Sequence, residues 1–342
     1  MPRVVTFGEI MLRLSPPGFE RFFQSPLLVA TFGGGEANVA VSLAGFGLES
    51  TYVTRLPPHA IGDGVVRALR AEGVDTTRIL RGGTRLGVYF TEGGASQRPS
   101  TVIYDRAGSA ISELTPGMVD WPAIFSSAAW FHTTGITPAL GDHAAACTAE
   151  SLQAARAAGA RVSVDLNFRK KLWSEAKAQK TMRPLMQHVD VVIANEEDLQ
   201  TVLGLQVPET DITGGRLNVD GYRQVAAQLS EEFGPSMVAI TLRESHSASD
   251  NGWSAALWDA GTKTFHESQH YEVRLVDRIG GGDSFAGGLI YGLVTGRTPE
   301  DALRFAVAAS ALKQTIPGDF NRVTVEEVDR LAKGDASGRV QR

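Results

Sequence analysis

The stretch Asp277-Arg-Ile-Gly280-Gly281-Gly282-Asp283-Ser-Phe-Ala-Gly-Gly-Leu-Ile-Tyr-Gly-Leu293 runs from three consecutive glycines straight into an apolar helix. Glycine frees the backbone to turn N–H groups toward an anion, and a helix N-terminus adds partial positive charge at the same place. Asp283 falls at or near the N-cap, where a carboxylate beside a held phosphate can take up a hydroxyl proton. Taken alone, the same residues fit an ordinary aspartate cap after a flexible loop.

Working outward, a second glycine cluster lies near the other end of the chain: Gly33-Gly34-Gly35-Glu-Ala-Asn38-Val-Ala40. Val4 to Leu14 before it is strand-like, and the apolar helix after it stops at Gly45 or Gly47. Here glycine permits close approach to the backbone, and Asn38 can both donate to and accept from a sugar hydroxyl. A tight turn with a solvent-facing asparagine is the plainer reading of this cluster by itself. Strand, turn and helix then alternate along much of the chain, which predicts a parallel sheet covered by helices on both faces. Two stretches break the rhythm, residues 11–31 and 79–106. Their polar-apolar alternation predicts a small separate sheet, inserted as a lid, with one apolar face in need of cover. Two helices, Asp283–Thr295 and Pro299–Thr315, close the α/β pattern.

The bulk properties narrow the partners. The chain has 342 residues and a formal charge of −5, which argues against nucleic-acid binding but allows a small anionic metabolite. Cys147 is the single cysteine, so no intrachain disulfide or cysteine-based metal cluster can form, and it reads as a buried inert thiol on the helix 144–158. The segment Val4–Leu12 is interrupted by Glu9 and lacks signal-peptide features, and no apolar run reaches bilayer length. A cytoplasmic protein is expected, with Ala332–Arg342 as a frayed end.

Together the two glycine clusters resemble the paired signatures of the ribokinase-like (pfkB) carbohydrate kinases, and the resemblance covers nearly the whole chain. It implies one three-layer α/β/α domain over residues 1–342, with a mostly parallel central sheet and a small β-sheet lid. It further implies ATP and Mg²⁺ as co-substrate and cofactor, Asp283 as catalytic base, and the amides of Gly280, Gly281, Gly282 and Asp283 as an anion hole. Gly34, Gly35 and Asn38 would contact the phosphoryl acceptor. Common members have alanine at the position of Gly281.

Within the family the chain is most similar to the 2-keto-3-deoxygluconate kinases, which phosphorylate a sugar acid at its terminal (6-) hydroxyl. Tyr104-Asp-Arg106 and Asp165-Leu-Asn167-Phe-Arg169 match segments that bring arginines to the acceptor in those enzymes. Arginine binds a carboxylate bidentately and stays charged, so two in one pocket suit a sugar acid. Tyr89, on a lid strand beside Tyr104, would cover the substrate. The plainer readings are a surface lid position for Arg106 and an ion pair with Asp165 for Arg169.

Asn195-Glu196-Glu197-Asp198 resembles the family element that organises Mg²⁺ and phosphate through water. Asp198 is the acid in register, and Glu197 is adjacent. These acids also suit a helix N-terminus. Asn195, Arg243, Gly280 and Gly282 are the expected nucleotide contacts, although Thr241–Gly252 departs from the family as a long serine-rich loop in which His246 reads as solvated. Asp277 and Pro317-Gly318-Asp319 fall where some relatives bind a monovalent cation. His132 reads as a satisfied core or pocket-wall histidine rather than a ligand. The alternatives are a kinase of a neutral sugar such as fructose or ribose, and a non-catalytic sugar sensor of the same fold. Lid packing predicts a homodimer or larger homo-oligomer.

Overall fold

The computed structural model describes residues 1–195, 197–206, 219–335 and 338. Its main sheet places strands in the order Thr264–Glu267, Asp250–Asp259, Met237–Ser245, Val191–Asn195, Arg161–Asp165, Ala128–Thr134, Arg3–Phe7 and Glu49–Val53, with Tyr271–Arg274 also pairing Asp250–Asp259. All pairings from Met237–Ser245 to Glu49–Val53 are parallel. Short β-branched runs form these strands because both faces are buried. In Val191–Asn195 the side chains alternate accordingly. Val191 and Ile193 pack with Val39, Phe285 and Ala306 on one side, while Val192 and Ala194 pack with Leu152, Met182 and Leu229 on the other. Helices therefore cover both faces, and the expected mostly parallel three-layer fold is present.

The chain runs from strand Arg3–Phe7 out to Glu49–Val53, then crosses back to Ala128–Thr134 on the other side. This reversal opens a crevice beyond the carboxyl ends of the strands, where open α/β sheets bind ligands. A second sheet, ordered Val29–Gly33, Met11–Ser15, Val88–Glu92 and Thr101–Asp105, forms the small sheet expected from the alternation. Leu80–Arg81 does not join it and pairs instead with Arg55–Leu56. Gly82 and Gly83, both at positive φ, turn the chain before the lid begins.

Three local expectations need correction. The helix after the glycines spans Gly281–Val294 with Gly280 as its cap, so it starts two residues before the expected Asp283, which sits near the cap as its third residue. Gly280 takes this place because its φ is 83° and a Cβ there would sit 2.2 Å from the Asp319 carbonyl oxygen. Thr241–Gly252 is not a long loop but a hairpin, with Ser245 paired to Asn251 across a turn stitched by Ser247 and Asp250. Its tip meets the loop joining strands Val88–Glu92 and Thr101–Asp105, Ala248 N donating to Ser96 O at 2.8 Å. His132, fully buried, is only half satisfied: Nδ1 meets Ser163 Oγ at 2.9 Å and Nε2 has no partner, and burial pushes its pKa down to about 3. Cys147 is buried as expected, which pushes its thiol up to about 11. Among the described residues no helix is long and apolar enough to cross a membrane. Most of the Ala332–Arg342 tail, and Glu196, lie outside the described residues.

Candidate active site

The crevice holds a cavity of about 330 Å³ lined by residues from the strand ends, both glycine clusters and the lid. The two clusters meet there. Asn38 is 245 residues from Asp283 in sequence, yet its Nδ2 donates to Asp283 Oδ2 at 2.7 Å. Asn38 Oδ1 in turn accepts from Gly34 N at 3.2 Å, so the asparagine is spent on positioning rather than left open to solvent. Gly34 admits this contact because a Cβ would lie 2.0 Å from the Glu9 carbonyl oxygen. Burial pushes the Asp283 carboxyl up to about 6 and Asp319 adds to the rise, against the Asn38 bond and the charges of Arg169 and Lys313.

Beside that carboxyl, the N–H groups of Gly280, Gly282 and Asp283 have no protein acceptor among the described residues. They sit at the N-terminus of a 14-residue helix, and Gly282 faces open space. A carboxylate of raised pKa beside unpaired amides can accept a proton while the amides hold an anion.

A family model for pfkB carbohydrate kinases matches residues 1–322. This chain belongs to that family. It is 36% identical to a 2-dehydro-3-deoxygalactonokinase of Haloferax volcanii, over 98% of each chain. It is 49% identical to a 2-dehydro-3-deoxygluconokinase of Thermotoga maritima of known structure, covering 98% of this chain and 100% of that one, with a TM-score of 0.93. A Xylella fastidiosa fructokinase with bound ATP, 24% identical, shares the fold at a TM-score of 0.76 over 97% of this chain and 98% of that one.

In this pfkB kinase the expected acceptor arginines differ in availability. Arg106 is buried rather than a surface lid residue, and its Nε and Nη2 both engage Glu9 Oε2, the first at 2.7 Å. Ser109 donates to the other Glu9 oxygen at 2.6 Å. One edge of the guanidinium is thus taken, and among the described residues Nη1 has no hydrogen-bond partner. Arg169 is exposed at the cavity edge and makes no ion pair with Asp165; among the described residues its Nη1 reaches only the Phe168 carbonyl, at 3.2 Å. Asn167 also lines the cavity, in a left-handed turn, φ 37°, its N–H donating to Asp165 Oδ1. Tyr104 faces Tyr89 at a ring distance of 6.0 Å and lies 5.3 Å from the Arg106 guanidinium. Tyr89 does line the cavity, but its hydroxyl is committed to Asp319 at 2.7 Å.

Asn195 Oδ1 accepts from Glu197 N and Asp198 N, both at 2.9 Å, capping the helix Asp198–Leu203. Asp198 is buried at the cavity wall with Oδ1 on Phe168 N, and burial pushes it up to about 6. Its second oxygen and neighbouring Asp165, also raised by burial and by Asp198, are oxygen donors that would suit Mg²⁺ held through water, while no group of three or more metal-binding side chains gathers among the described residues. Glu197 is exposed and lines the outer cleft beside Lys171, not this cavity. Arg243 lines the cavity opposite Arg278, whose pKa is lowered by burial and by Arg243.

Sequence reasoning missed Glu9, Arg13, Arg278 and Lys313. Lys313 carried a usable signal: it continues the buried row Ala302, Ala306, Ala309 on its helix, where a lone cation needs a partner. Glu9 and Arg13 sat in segments read only for strand pattern.

Proposed function

We propose that this kinase transfers the γ-phosphoryl group of MgATP to the terminal primary hydroxyl of 2-keto-3-deoxygluconate or its galactonate epimer. The single observation that carries the reading is the Asn38–Asp283 contact beside unpaired amides. In the reaction Asp283 takes the hydroxyl proton as the oxygen forms its bond to the γ-phosphorus, and the bond to the ADP oxygen breaks. The Gly280, Gly282 and Asp283 amides hold the transferring group, with the helix N-terminus behind them. Arg243 and Arg278 attract the nucleotide phosphates, and Asn195 sits at the same wall. Asp198 would hold Mg²⁺ through water, and the ion would supply charge neutralisation of those phosphates. Arg169 and Arg106 Nη1, with Asn167 and Tyr104, hold the far carboxylate, so the opposite hydroxyl faces Asp283. The named 2-dehydro-3-deoxy sugar-acid kinases among its relatives support that acceptor class.

The whole chain acts as one kinase unit with residues 11–31 and 88–106 as its lid, and works in the cytoplasm. A second copy covers the exposed lid side chains Phe19, Phe23, Leu27 and Ile103. An ATP-consumption screen across both keto-acid epimers, fructose and ribose tests the acceptor. Turnover of a keto-acid is expected. No ATP consumption with any acceptor would favour a sensor instead.

A further inference from the structure

Lys313 is fully buried near the end of the helix Pro299–Lys313, and its Nζ reaches into the glycine loop. There it donates to the carbonyl oxygens of Asp277, at 3.1 Å, and Ile279. Both are backbone acceptors in the loop before Gly280, and Cε passes 3.3 Å from where a Gly280 Cβ would stand. A trans peptide points its carbonyl and N–H in opposite directions. Fixing the Asp277 and Ile279 carbonyls toward Nζ therefore aims the N–H groups of Arg278 and Gly280 away from it. The Gly280 N–H is one of the unpaired cavity donors. Ser310 Oγ, on the same helix, fixes the Gly281 carbonyl at 2.7 Å.

We propose that the Lys313 ammonium is a tethered monovalent cation: it holds the glycine loop in its anion-binding conformation, so transfer needs no free monovalent ion. Asp277 and Asp319 offset the ammonium charge from nearby, each also bound to Arg13, at 2.6 and 2.7 Å. Burial lowers the lysine pKa and these two carboxylates oppose that fall. Lys313 touches no reacting atom in this account and acts through the loop. Its role is that of a positioning residue.

The inference rests on the phosphoryl-transfer reading, so wild-type turnover on the best acceptor is measured first. Absence of all turnover would fail that reading instead, and calorimetric MgADP affinity in choline and K⁺ buffers then tests the lysine alone. The expected wild-type result is the same kcat, or the same MgADP affinity, in choline, Li⁺, Na⁺ and K⁺ chlorides. A rise above about threefold in K⁺ would overturn the proposal, since one added tethered charge should already fill the need. Lys313→Ala opens room for an ion, and Lys313→Met fills it with an uncharged chain. In choline both should lose about 10²-fold in kcat, the scale of losing aimed amide donors. K⁺ or NH₄⁺, but not Li⁺, should restore at least about tenfold to the alanine variant and little to the methionine variant. A folded alanine variant that keeps full kcat, or stays inactive in every salt, contradicts the tethered-cation role. If neither variant folds, the wild-type salt series decides.

Discussion

Asp283 shows how one residue's environment sets both activity and stability. Its pKa of about 6 lies above the ordinary 3.8, chiefly through burial. As the proposed base it must be ionised, so kcat/KM should fall as pH drops through about 6, and an acid limb near 4 would count against burial as the tuning force. Stability runs the other way. A raised carboxyl contributes stability that is present below its unfolded pKa and lost as pH rises through its folded value. Asp283→Asn should therefore lose most activity while gaining on the order of 1–3 kcal/mol of stability at pH 8, read from denaturant midpoints. A less stable variant at pH 8 would contradict this. The neighbouring glycines make a matched pair. A Cβ at Gly282 meets nothing within 4 Å, so Gly282→Ala should fold normally but crowd the anion site and lower kcat by about tenfold or more. The nearest atom to a Cβ at Gly281 is Gln314 Cγ, at 3.1 Å, which need give by only a few tenths of an ångström, so Gly281→Ala should keep near-wild-type kcat. Equal effects of the two would show that the loop has no preferred anion side.

At the scale of elements, the lid is tied to the glycine loop by charge rather than by apolar packing alone. Arg13, from strand Met11–Ser15, bridges Asp277 at 2.6 Å and Asp319 at 2.7 Å, and Tyr89, from Val88–Glu92, adds its hydroxyl to Asp319. Removing one partner of a buried ionic network leaves uncompensated charge, at about 3–5 kcal/mol. Arg13→Met should lower the thermal midpoint by about 5 °C or more at pH 7. A change under about 1 °C would show the network to be solvent-screened. The same network explains what sequence made legible. Strand-turn-helix alternation revealed the parallel sheet and the separate lid, because burial on two faces leaves a strong pattern in each strand. The glycine runs marked where an anion is proposed to sit. Long-range polar pairings left no pattern: Arg13 is 264 residues from Asp277, and Glu9 is 97 from Arg106. Helix onset at Gly281 was misplaced because Asp283 makes a good cap and nothing local shows that Gly280 is pressed against Asp319. The hairpin at Met237–Asp259 was obscured by serines that fit a loop and a tight turn equally well.

Across the whole molecule, the proposed acceptor site lies where lid and main sheet face each other. Residue matching placed Tyr104, Arg106, Asn167 and Arg169 together, and the structure does bring them to one end of the cavity. It was silent on Glu9, which takes one edge of Arg106 and leaves Arg169 as the more available cation. On the outer side the lid exposes Phe23 at 92% and Leu27 at 64%, more than a monomer need leave in water. Light scattering at micromolar concentration should give a dimer or larger assembly, and Phe23→Ser with Leu27→Ser should weaken it. A wild-type monomer would remove this part of the account. Arg169 carries the sugar-acid claim, since a charge-assisted bond to a carboxylate contributes about 1.5–3 kcal/mol, or roughly 10- to 100-fold. The most direct measurement is the ratio of kcat/KM for 2-keto-3-deoxygluconate to that for fructose, in wild type and in Arg169→Ala. The account predicts a wild-type ratio well above one that falls by about tenfold or more in the variant, with fructose turnover little changed. An unchanged ratio, or equal loss on both substrates, would contradict it.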